Sequence, residues 1–183
     1  VAMELDQDRF EVLKVLSSLK SAEGRFDLMT SPDKKISAIV DYAHTPDALE
    51  KVLDTIHKLK QRDTSIITVV GCGGNRDKRK RPEMAKVASE RSDRLILTSD
   101  NPRNENPESI IEDMIPGIPQ GRTQKMMQIS DRRSAIIAAL SMAQDGDIVL
   151  IAGKGHEKYQ DVMGEKLPFD DKEIVREYLG LEN

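Results

Sequence analysis

The sequence predicts an α/β fold of the Rossmann-like kind, with a mostly parallel sheet and helices on both of its faces. Two observations support this prediction. Short apolar and β-branched runs alternate with helix-length segments along most of the chain, which is typical of repeated strand–helix units. Several of these runs lead directly into loops rich in glycine and charge, and parallel strands place such loops at one edge of the sheet. We therefore expect the functional groups at that edge.

The chain begins with a segment that precedes the regular strand–helix pattern. Residues 8–20 have apolar side chains near one face of an amphipathic helix, and residues 22–27 form a loop that stops it. Residues 31–35 resemble a turn or linker. We place a domain boundary there, with residues 1–33 on one side and residues 34–183 on the other.

The later elements follow in regular order. Strands are predicted from apolar and β-branched runs at residues 36–40, 65–70, 94–98, 126–129 and 147–152. Helices are predicted at residues 45–60, 82–90, 107–114, 132–143 and 172–179. Pro46 suits a first helical position, and Asn106 and Asp131 suit the N-cap of the helix that follows each of them.

Composition excludes several function classes. The chain has 183 residues, of which 38% are hydrophobic and 33% charged, so it can bury one sizeable core. A net charge of -4 gives no attraction for nucleic acid or an anionic membrane, and the absence of Trp argues against a base-stacking platform. A single cysteine, Cys72, fits a reducing compartment. We expect a cytoplasmic protein with neither a nucleic-acid nor a membrane partner.

The first of the charged loops, residues 71–82, reads GCGGNRDKRKRP. It lacks the order of a GxxxxGK[ST] phosphate loop, so we do not expect the chain to bind and cleave ATP by itself. Its glycines allow close backbone approach, and Arg76 and the basic residues at 78–81 concentrate positive charge. The alternative is a solvated helix entrance, which we favour for residues 78–81 but not for Arg76.

The second loop contains Asp100, Asn101, Pro102 and Arg103. Asp100 can accept a hydrogen bond from an ammonium group, Asn101 can donate and accept, and Arg103 can bind a carboxylate with its planar fork. Pro102 restricts the residue before it to extended conformations. This set suits an amino acid better than a phosphate, although a simple Asn-Pro turn is an equal alternative.

Two further loops are expected at the same edge. Residues 152–157 place Gly153 beside Lys154, His156 and Glu157, and Glu157 is the best candidate there to bind an ammonium group. The roles of Lys154 and His156 stay open, and an ordinary loop histidine is an equal alternative for His156. Residues 40–47 place Asp41 and His44 at a strand end, where a nucleotide ribose or base could lie; the alternative is that both only organise a helix start. The histidine and cysteine spacings support no protein-only metal site.

Four segments in this order resemble the C-terminal domain of the Mur ligases: VDYAHTPDAL, GCGGNRDKRKRP, TSDNPR and AGKGHE. Together they extend over about 120 residues, which makes the resemblance far more specific than any single motif. Residues 1–33 resemble the end of the family's central ATPase domain and a hinge. Residues 34–183 resemble its Rossmann-like, amino-acid-binding C-terminal domain.

The resemblance implies an activity in peptidoglycan precursor synthesis. Family members use ATP and magnesium to form an acyl phosphate on a UDP-N-acetylmuramoyl substrate, and the amine of an amino acid then attacks it to give an amide. In members with a DNPR motif the acceptor is UDP-N-acetylmuramoyl-L-alanyl-D-glutamate and the amino acid is meso-diaminopimelate. Lysine-adding relatives differ at the arginine of that motif.

Residue roles carried over from the family fall into two groups. Those implied to bind diaminopimelate are Arg76, Asp100, Asn101, Pro102, Arg103, Gly153 and Glu157. Those implied to face ATP are Arg25 near the phosphates, Asp41 at the ribose and His44 close to the nucleotide.

The chain also departs from the family pattern. It contains neither the domain that holds the uridine nucleotide nor the phosphate loop, magnesium ligands and modified lysine of the central domain. We therefore expect a fragment of a longer enzyme that is inactive alone, with ATP and Mg²⁺ bound mainly by the missing central domain. Two rivals stay open: another amide ligase of this superfamily, against which the DNPR motif argues, and a small-molecule-binding module without chemistry.

Overall fold

A single six-stranded sheet organises the molecule, whose computed structural model describes residues 24–31, 35–60 and 63–181. Its strands are β1 (Asp27–Thr30), β2 (Ser37–Asp41), β3 (Ile66–Val70), β4 (Arg94–Leu97), β5 (Met126–Gln128) and β6 (Ile148–Ala152). They lie in the order β1-β2-β6-β3-β4-β5, and all neighbouring strands are parallel except the antiparallel pair β1–β2. The predicted helix at residues 8–20 lies outside the described residues.

Helices cover both faces of this sheet. They are α1 (Pro46–Leu59), α2 (Lys80–Arg91), α3 (Pro107–Met114), α4 (Arg132–Met142) and α5 (Asp171–Leu179). The first three share one buried apolar cluster with the sheet, and the last two share the cluster on its other face. The predicted α/β class with a mostly parallel sheet is confirmed. Within the described ranges, no helix is long and apolar enough to cross a bilayer.

Alternation within the strands explains why two cores form. All five residues of β2 are buried, and Ile39 belongs to one cluster while its neighbours Ala38 and Val40 belong to the other. Successive strand side chains point to opposite faces, so the middle of a strand covered on both sides is apolar, as in β2. Asn106 and Asp131 cap the helices that follow them, as predicted, by accepting from the backbone N–H groups of Ser109 and Ser134.

The structure adds elements that the pattern does not predict. The strand β1 is only half-buried and carries no clear alternation. A two-stranded hairpin, β7 (Tyr159–Val162) and β8 (Glu165–Pro168), follows β6, and its turn has φ values of 53° at Met163 and 82° at Gly164. Two positive φ values at the turn match the two-residue type that suits antiparallel strands. Short 3₁₀ segments also occur at Ile115–Gly117 and Gln120–Lys125.

One helix starts earlier than predicted. The α2 helix begins at Lys80, two residues before Pro82, because the first backbone N–H groups of a helix have no partner within it and proline at the third position removes no bond.

The parallel registers bring four strand ends to one edge. Asp41 and Val70 both pair with Ala152, and Val70 also pairs with Leu97. The loops after β2, β3, β4 and β6 therefore emerge side by side, as the sequence predicts.

Candidate functional site

A cleft of about 450 Å³ opens among these four loops. It is lined by seven of the residues singled out from the sequence: His44, Arg76, Asp100, Asn101, Arg103, Gly153 and Glu157. Pro102, Arg25 and Asp41 lie outside the lining set. In the parts of the chain that the structure describes, there is no group of three or more His, Cys, Asp or Glu side chains that could hold a metal ion.

The centre of the cleft floor is a hydrogen-bonded network around Asn101. Its amide Nδ2 donates to Glu157 Oε2 over 2.8 Å, and its Oδ1 accepts from Lys154 Nζ over 2.9 Å. Lys154 is fully buried, and its ammonium group also lies 3.2 Å from Glu157 Oε2. A buried ammonium needs such acceptors, so Lys154 fixes the orientation of both partners. Lys154 therefore joins Asn101 to Glu157 beneath the cleft.

Asp100 lies at the back of the same cleft. Burial raises the pKa of its carboxyl, and the cations of Arg132 and Lys154 offset that shift only in part. Gly153 leaves the room that this carboxylate occupies: its φ is 121°, and a Cβ there would come within 2.6 Å of Asp100 Oδ2. Any larger residue at position 153 would therefore collide with the Asp100 carboxylate and would also be strained by the positive φ.

Arg103 presents its guanidinium at the cleft wall with 27% of the side chain exposed. Its Nη1 donates to the carbonyl of Gly74 over 2.8 Å, and its Nε lies 3.8 Å from Asp161 Oδ2. The backbone at Arg103 is left-handed, with φ of 51°. Hydrogen bonds to the hairpin hold it there, because its N–H donates to Asp161 O and its carbonyl accepts from Met163 N.

The glycine-rich loop separates two kinds of arginine. Arg76 is exposed and lines the cleft. Arg81 is only 1% exposed; it donates to Glu105 and Asp113, with distances of 2.7 to 3.0 Å. Hydrogen bonds from Arg81 and from the backbone of Asn75 lower the pKa of Glu105 to about 2. The expected solvated helix entrance is wrong for Arg81, whose ion pairs allow its burial.

The loop after β2 has a different character. Asp41 is buried, and its two carboxylate oxygens accept from the backbone N–H groups of Phe26 and Ala43 over 2.8 and 2.7 Å. His44 is exposed, and its Nδ1 lies 2.9 Å from the carbonyl of Tyr42. Arg25 is exposed on the turn before β1. Asp41 thus bonds to the chain neighbours of both Arg25 and His44, but of these three residues only His44 lines the cleft.

Cys72 also lines the cleft, but its thiol is a poor nucleophile. Burial raises the pKa of its thiol to about 12, and the nearby Asp100 carboxylate adds to the shift. The thiolate is the nucleophilic form, so Cys72 stays a protonated wall residue near neutral pH.

Sequence reasoning missed two residues next to the site. Asp161 contacts Arg103 from the unpredicted hairpin. Arg132 is completely buried, forms two hydrogen bonds to Asp171 and donates to the carbonyls of Ser99 and Ala152 at two strand-end loops. Arg132 directly follows the helix cap Asp131, and nothing in the sequence indicates that its side chain reaches the carbonyls of Ser99 and Ala152. The Met163-Gly164 pair was the one available signal for the hairpin.

Both signs of charge converge in the cleft. Arg76 offers an exposed guanidinium group and Arg103 a half-buried one, while Asp100 and Glu157 offer carboxylates within the same lining set. This arrangement suits a small zwitterion that carries both carboxylate and ammonium groups. A concave site at the carboxyl edge of a mostly parallel sheet defines the class: a doubly wound, small-molecule-binding domain. The family model described as "Mur ligase, glutamate ligase domain" matches residues 24–155, and the chain belongs to that family.

Relatives sharpen the comparison. The chain is 52% identical over 176 residues to the UDP-N-acetylmuramoyl-L-alanyl-D-glutamate--2,6-diaminopimelate ligase of Bacteroides thetaiotaomicron, which covers 96% of this chain and 36% of that protein. The ligase of the same name from Aquifex aeolicus is 52% identical over 157 residues, which covers 86% of this chain and 31% of that protein. A solved structure of such a ligase superimposes with a TM-score of 0.78 at 43% identity, covering 98% of this chain and 36% of that one. The chain thus spans about a third of these proteins.

Proposed function

We propose that this chain is the C-terminal, amino-acid-binding part of an ATP-dependent amide ligase. The full enzyme would add meso-diaminopimelate to UDP-N-acetylmuramoyl-L-alanyl-D-glutamate. The observation that carries the proposal is the convergence of Arg76, Arg103, Asp100 and Glu157 on one cleft. The domain limits belong to the proposal too, with residues 1–33 as the end of a central ATPase domain and residues 34–183 as the binding domain.

Meso-diaminopimelate has two carboxylate and two ammonium groups, which matches the charges of the cleft. Arg76 and Arg103 would bind carboxylates, because guanidinium groups form strong charge-assisted bonds to them. Glu157 and Asp100 would hold the distal ammonium group. Glu157 is suited to this role, because Lys154 and Asn101 both contact its Oε2 and leave Oε1 available. Asn101 and Pro102 would fix the shape of the loop.

The same contacts account for a preference over lysine. L-Lysine has one carboxylate fewer, so one guanidinium of the cleft would lose its charged partner on binding. A site built to bond a polar group rejects an analogue that lacks it, because the group of the protein is then left unpaired. Arg103 is the residue at which this discrimination would occur.

The reaction would need a second set of groups to make the electrophile. The terminal phosphoryl group of ATP would pass to the D-glutamate carboxylate, releasing ADP; the free amine of diaminopimelate would then attack the acyl carbon and inorganic phosphate would leave. The share of this domain is positioning, since holding two reactants about 3 Å apart can remove several kcal/mol from a barrier.

ATP would meet this domain at Arg25, Asp41 and His44, the residues that the family resemblance assigns to the phosphates and the ribose side. The described residues offer no cluster for Mg²⁺, so the ion and most of the nucleotide would be held by the remainder of the enzyme. Magnesium would supply charge neutralisation of the phosphates there. We place the whole reaction in the cytoplasm.

Amine-dependent phosphate release by the complete ligase tests the proposal. We expect release with meso-diaminopimelate and the UDP-dipeptide, and none with L-lysine at the same concentration. Phosphate release with L-lysine or with D-glutamate as the amine would favour another amide ligase of the superfamily. If no amine releases phosphate while the chain still binds an amino acid in calorimetry, the binding-module alternative is correct.

A second measurement addresses the chain by itself. We expect no ADP from the 183-residue polypeptide mixed with ATP, Mg²⁺ and both substrates, because its described residues contain no magnesium cluster and its sequence has no phosphate loop. Diaminopimelate-dependent ADP release from that polypeptide would contradict this part of the proposal.

A further inference from the structure

The hairpin β7–β8 bonds to the loop at residues 100–103 through Gln160, Asp161 and Met163, and Asp161 makes the most contacts of the three. The backbone N–H of Asp161 donates to Asn101 Oδ1 over 3.0 Å, and its carbonyl accepts from Arg103 N over 2.8 Å. Its side chain faces the Arg103 guanidinium, with 3.8 Å between Asp161 Oδ2 and Arg103 Nε. One residue of the hairpin therefore contacts two residues of the loop that the proposed function makes responsible for choosing the amino acid.

Asp161 carries an unusual atom. Its Oδ1 is buried and accepts no hydrogen bond from any residue that the structure describes. A buried carboxylate oxygen without a donor destabilises the folded state, because it has lost its hydrogen bonds to water and has no hydrogen bond within the protein to replace them. The other oxygen is little better placed, since 3.8 Å is the distance of an ion pair and is too long for a hydrogen bond.

Arg103 has the donors that this carboxylate lacks. A guanidinium carries five N–H groups in a fixed plane: one on Nε and two on each terminal nitrogen. In this structure one of the five, on Nη1, is bonded to the carbonyl of Gly74. In general, a guanidinium group can bind one carboxylate with the edge formed by Nε and Nη2. The edge formed by Nη1 and Nη2 can then bind a second carboxylate.

We propose that Asp161 is the positioning residue of the amino-acid site and acts through Arg103. When the ligand carboxylate binds the outer edge of the guanidinium, the inner edge closes onto Asp161 and supplies the missing donor to Oδ1. All five N–H groups are then used: one by Gly74, two by Asp161 and two by the ligand. The proposal rests on the proposed function for the identity of the ligand, but the pairing of Arg103 with Asp161 does not depend on it.

Kinetics of the complete ligase test the coupling. Asp161→Asn keeps the shape and removes the charge, and we expect the KM for meso-diaminopimelate to rise about tenfold, the loss of roughly one charge-assisted bond, with kcat and the KM for ATP within about twofold. The control is Glu165→Gln, an exposed carboxylate on the same hairpin, which we expect to change neither KM.

A double-mutant cycle separates positioning from general damage to the fold. If Asp161 acts through Arg103, the variant Asp161→Asn with Arg103→Ala has the same KM as Arg103→Ala alone, because the second change removes nothing further. Multiplied KM effects in the double variant would overturn the proposal.

A measurement without ligand keeps the inference separate from the function. In the ¹⁵N-labelled 183-residue chain, the Arg103 Nε–H signal is assigned by its loss in Arg103→Lys. The 3.8 Å ion pair between Arg103 Nε and Asp161 Oδ2 exists before any ligand binds, so we expect Asp161→Asn to speed hydrogen exchange at this group by about threefold, the scale of a partly exposed ion pair. An unchanged exchange rate would contradict the pairing even if meso-diaminopimelate proves to be the substrate. A faster rate together with a different substrate would leave the pairing intact and reject only the proposed function.

Discussion

The loop at residues 100–103 and the loop at residues 41–45 lie at the same sheet edge, yet they hold their charged groups in opposite ways. Arg103 is tied at one nitrogen to Gly74 and keeps other donors directed toward the cleft. Asp41 is buried, and both of its oxygens already accept backbone N–H groups, from Phe26 and Ala43. The first loop is a partly unsatisfied binding surface, whereas the second is an internally bonded corner.

This difference shows what a motif can and cannot tell. A sequence states which chemical groups a loop carries, but only the hydrogen-bond partners show how many donors and acceptors are left for a ligand. By that measure the proposed amino-acid side of the cleft is formed within this chain. On the proposed nucleotide side His44 and Arg25 are exposed, and holding ATP there would need contacts from elsewhere.

The largest effect that would test this comparison is expected from Arg103→Ala in the complete ligase. Truncating one partner of a hydrogen-bonded charge pair costs about 2–5 kcal/mol, so we expect the KM for meso-diaminopimelate to rise about 100-fold. The KM for ATP stays near its normal value. Steady-state kinetics with each substrate varied in turn measure both.

The matched control for that experiment is Arg79→Ala. Arg79 lies in the neighbouring glycine-rich loop, is exposed and bonds only to Asp77 among the described residues. We expect it to leave both KM values unchanged. An equal rise in the two arginine variants would mean that general positive charge attracts the amino acid, and unchanged KM values for Arg103→Ala would show that its assigned role is wrong.

A smaller effect of another kind is expected from Asp41→Ala. The change leaves the buried N–H groups of Phe26 and Ala43 without their acceptor, which costs about 2 kcal/mol in the free energy of unfolding. Urea denaturation of the 183-residue chain measures it, and Asp41→Asn, which keeps one acceptor oxygen, should lose less.

The ligase carrying the Asp41 variants then tests the ribose prediction. If Asp41→Asn raises the KM for ATP while the chain stays folded, the carboxylate binds nucleotide in addition to its structural bonds. Stability loss without a change in that KM would leave Asp41 as a purely structural residue.

The fold could be predicted because its determinants are local. The runs that form β3 and β6 are apolar and β-branched, and caps such as Asn106 and Asp131 mark helix starts in the sequence itself. The hairpin could not be predicted, because Tyr159–Val162 is half-buried and mostly polar. Its pairing depends on the Met163-Gly164 turn and on contacts with Arg103. Long-range partners of this kind leave no periodic signal.

The candidate site divides in the same way. The chemistry of Arg103, Glu157 and Asp100 could be predicted from residue type and from position after a strand. The burial of Lys154 and Arg81 could not, because a lysine or arginine becomes buried only when distant acceptors reach it. Arg81 meets Glu105 and Asp113 from 24 and 32 positions away, which sequence spacing cannot show.

The ion pair of Arg81 gives a pH-dependent test. Hydrogen bonds from Arg81 lower the pKa of Glu105 from its ordinary value of 4.5 to about 2. A depressed carboxyl pKa stabilises the folded state above the unfolded value, and this contribution is lost as the pH falls through the folded one. We expect the stability difference between the wild-type chain and Glu105→Gln to be constant above pH 4.5 and to shrink between pH 4.5 and about 2.

Unfolding by urea at several pH values measures that difference. Glu112→Gln on α3 is the control, because Glu112 is exposed and makes no hydrogen bond to the glycine-rich loop among the described residues. A difference that stays constant down to pH 2 would mean that Glu105 has no depressed pKa. This result would remove the ion-pair explanation for the burial of Arg81.

The smallest effect is expected on the nucleotide side, from His44→Ala. The ring of His44 is exposed, and its centroid lies 4.6 Å from that of the Tyr42 ring. Among the described residues it bonds only to the carbonyl of Tyr42, so its loss should hardly change the free energy of unfolding. We expect the KM for ATP to rise about threefold, the scale of one exposed aromatic contact, with the KM for meso-diaminopimelate unchanged. His57→Ala is the control, since His57 lies on α1 and bonds to the carbonyl of Arg91. An effect of His44→Ala on the amino acid alone would reverse the comparison, because both loops would then serve one substrate and the nucleotide would have no site on this edge.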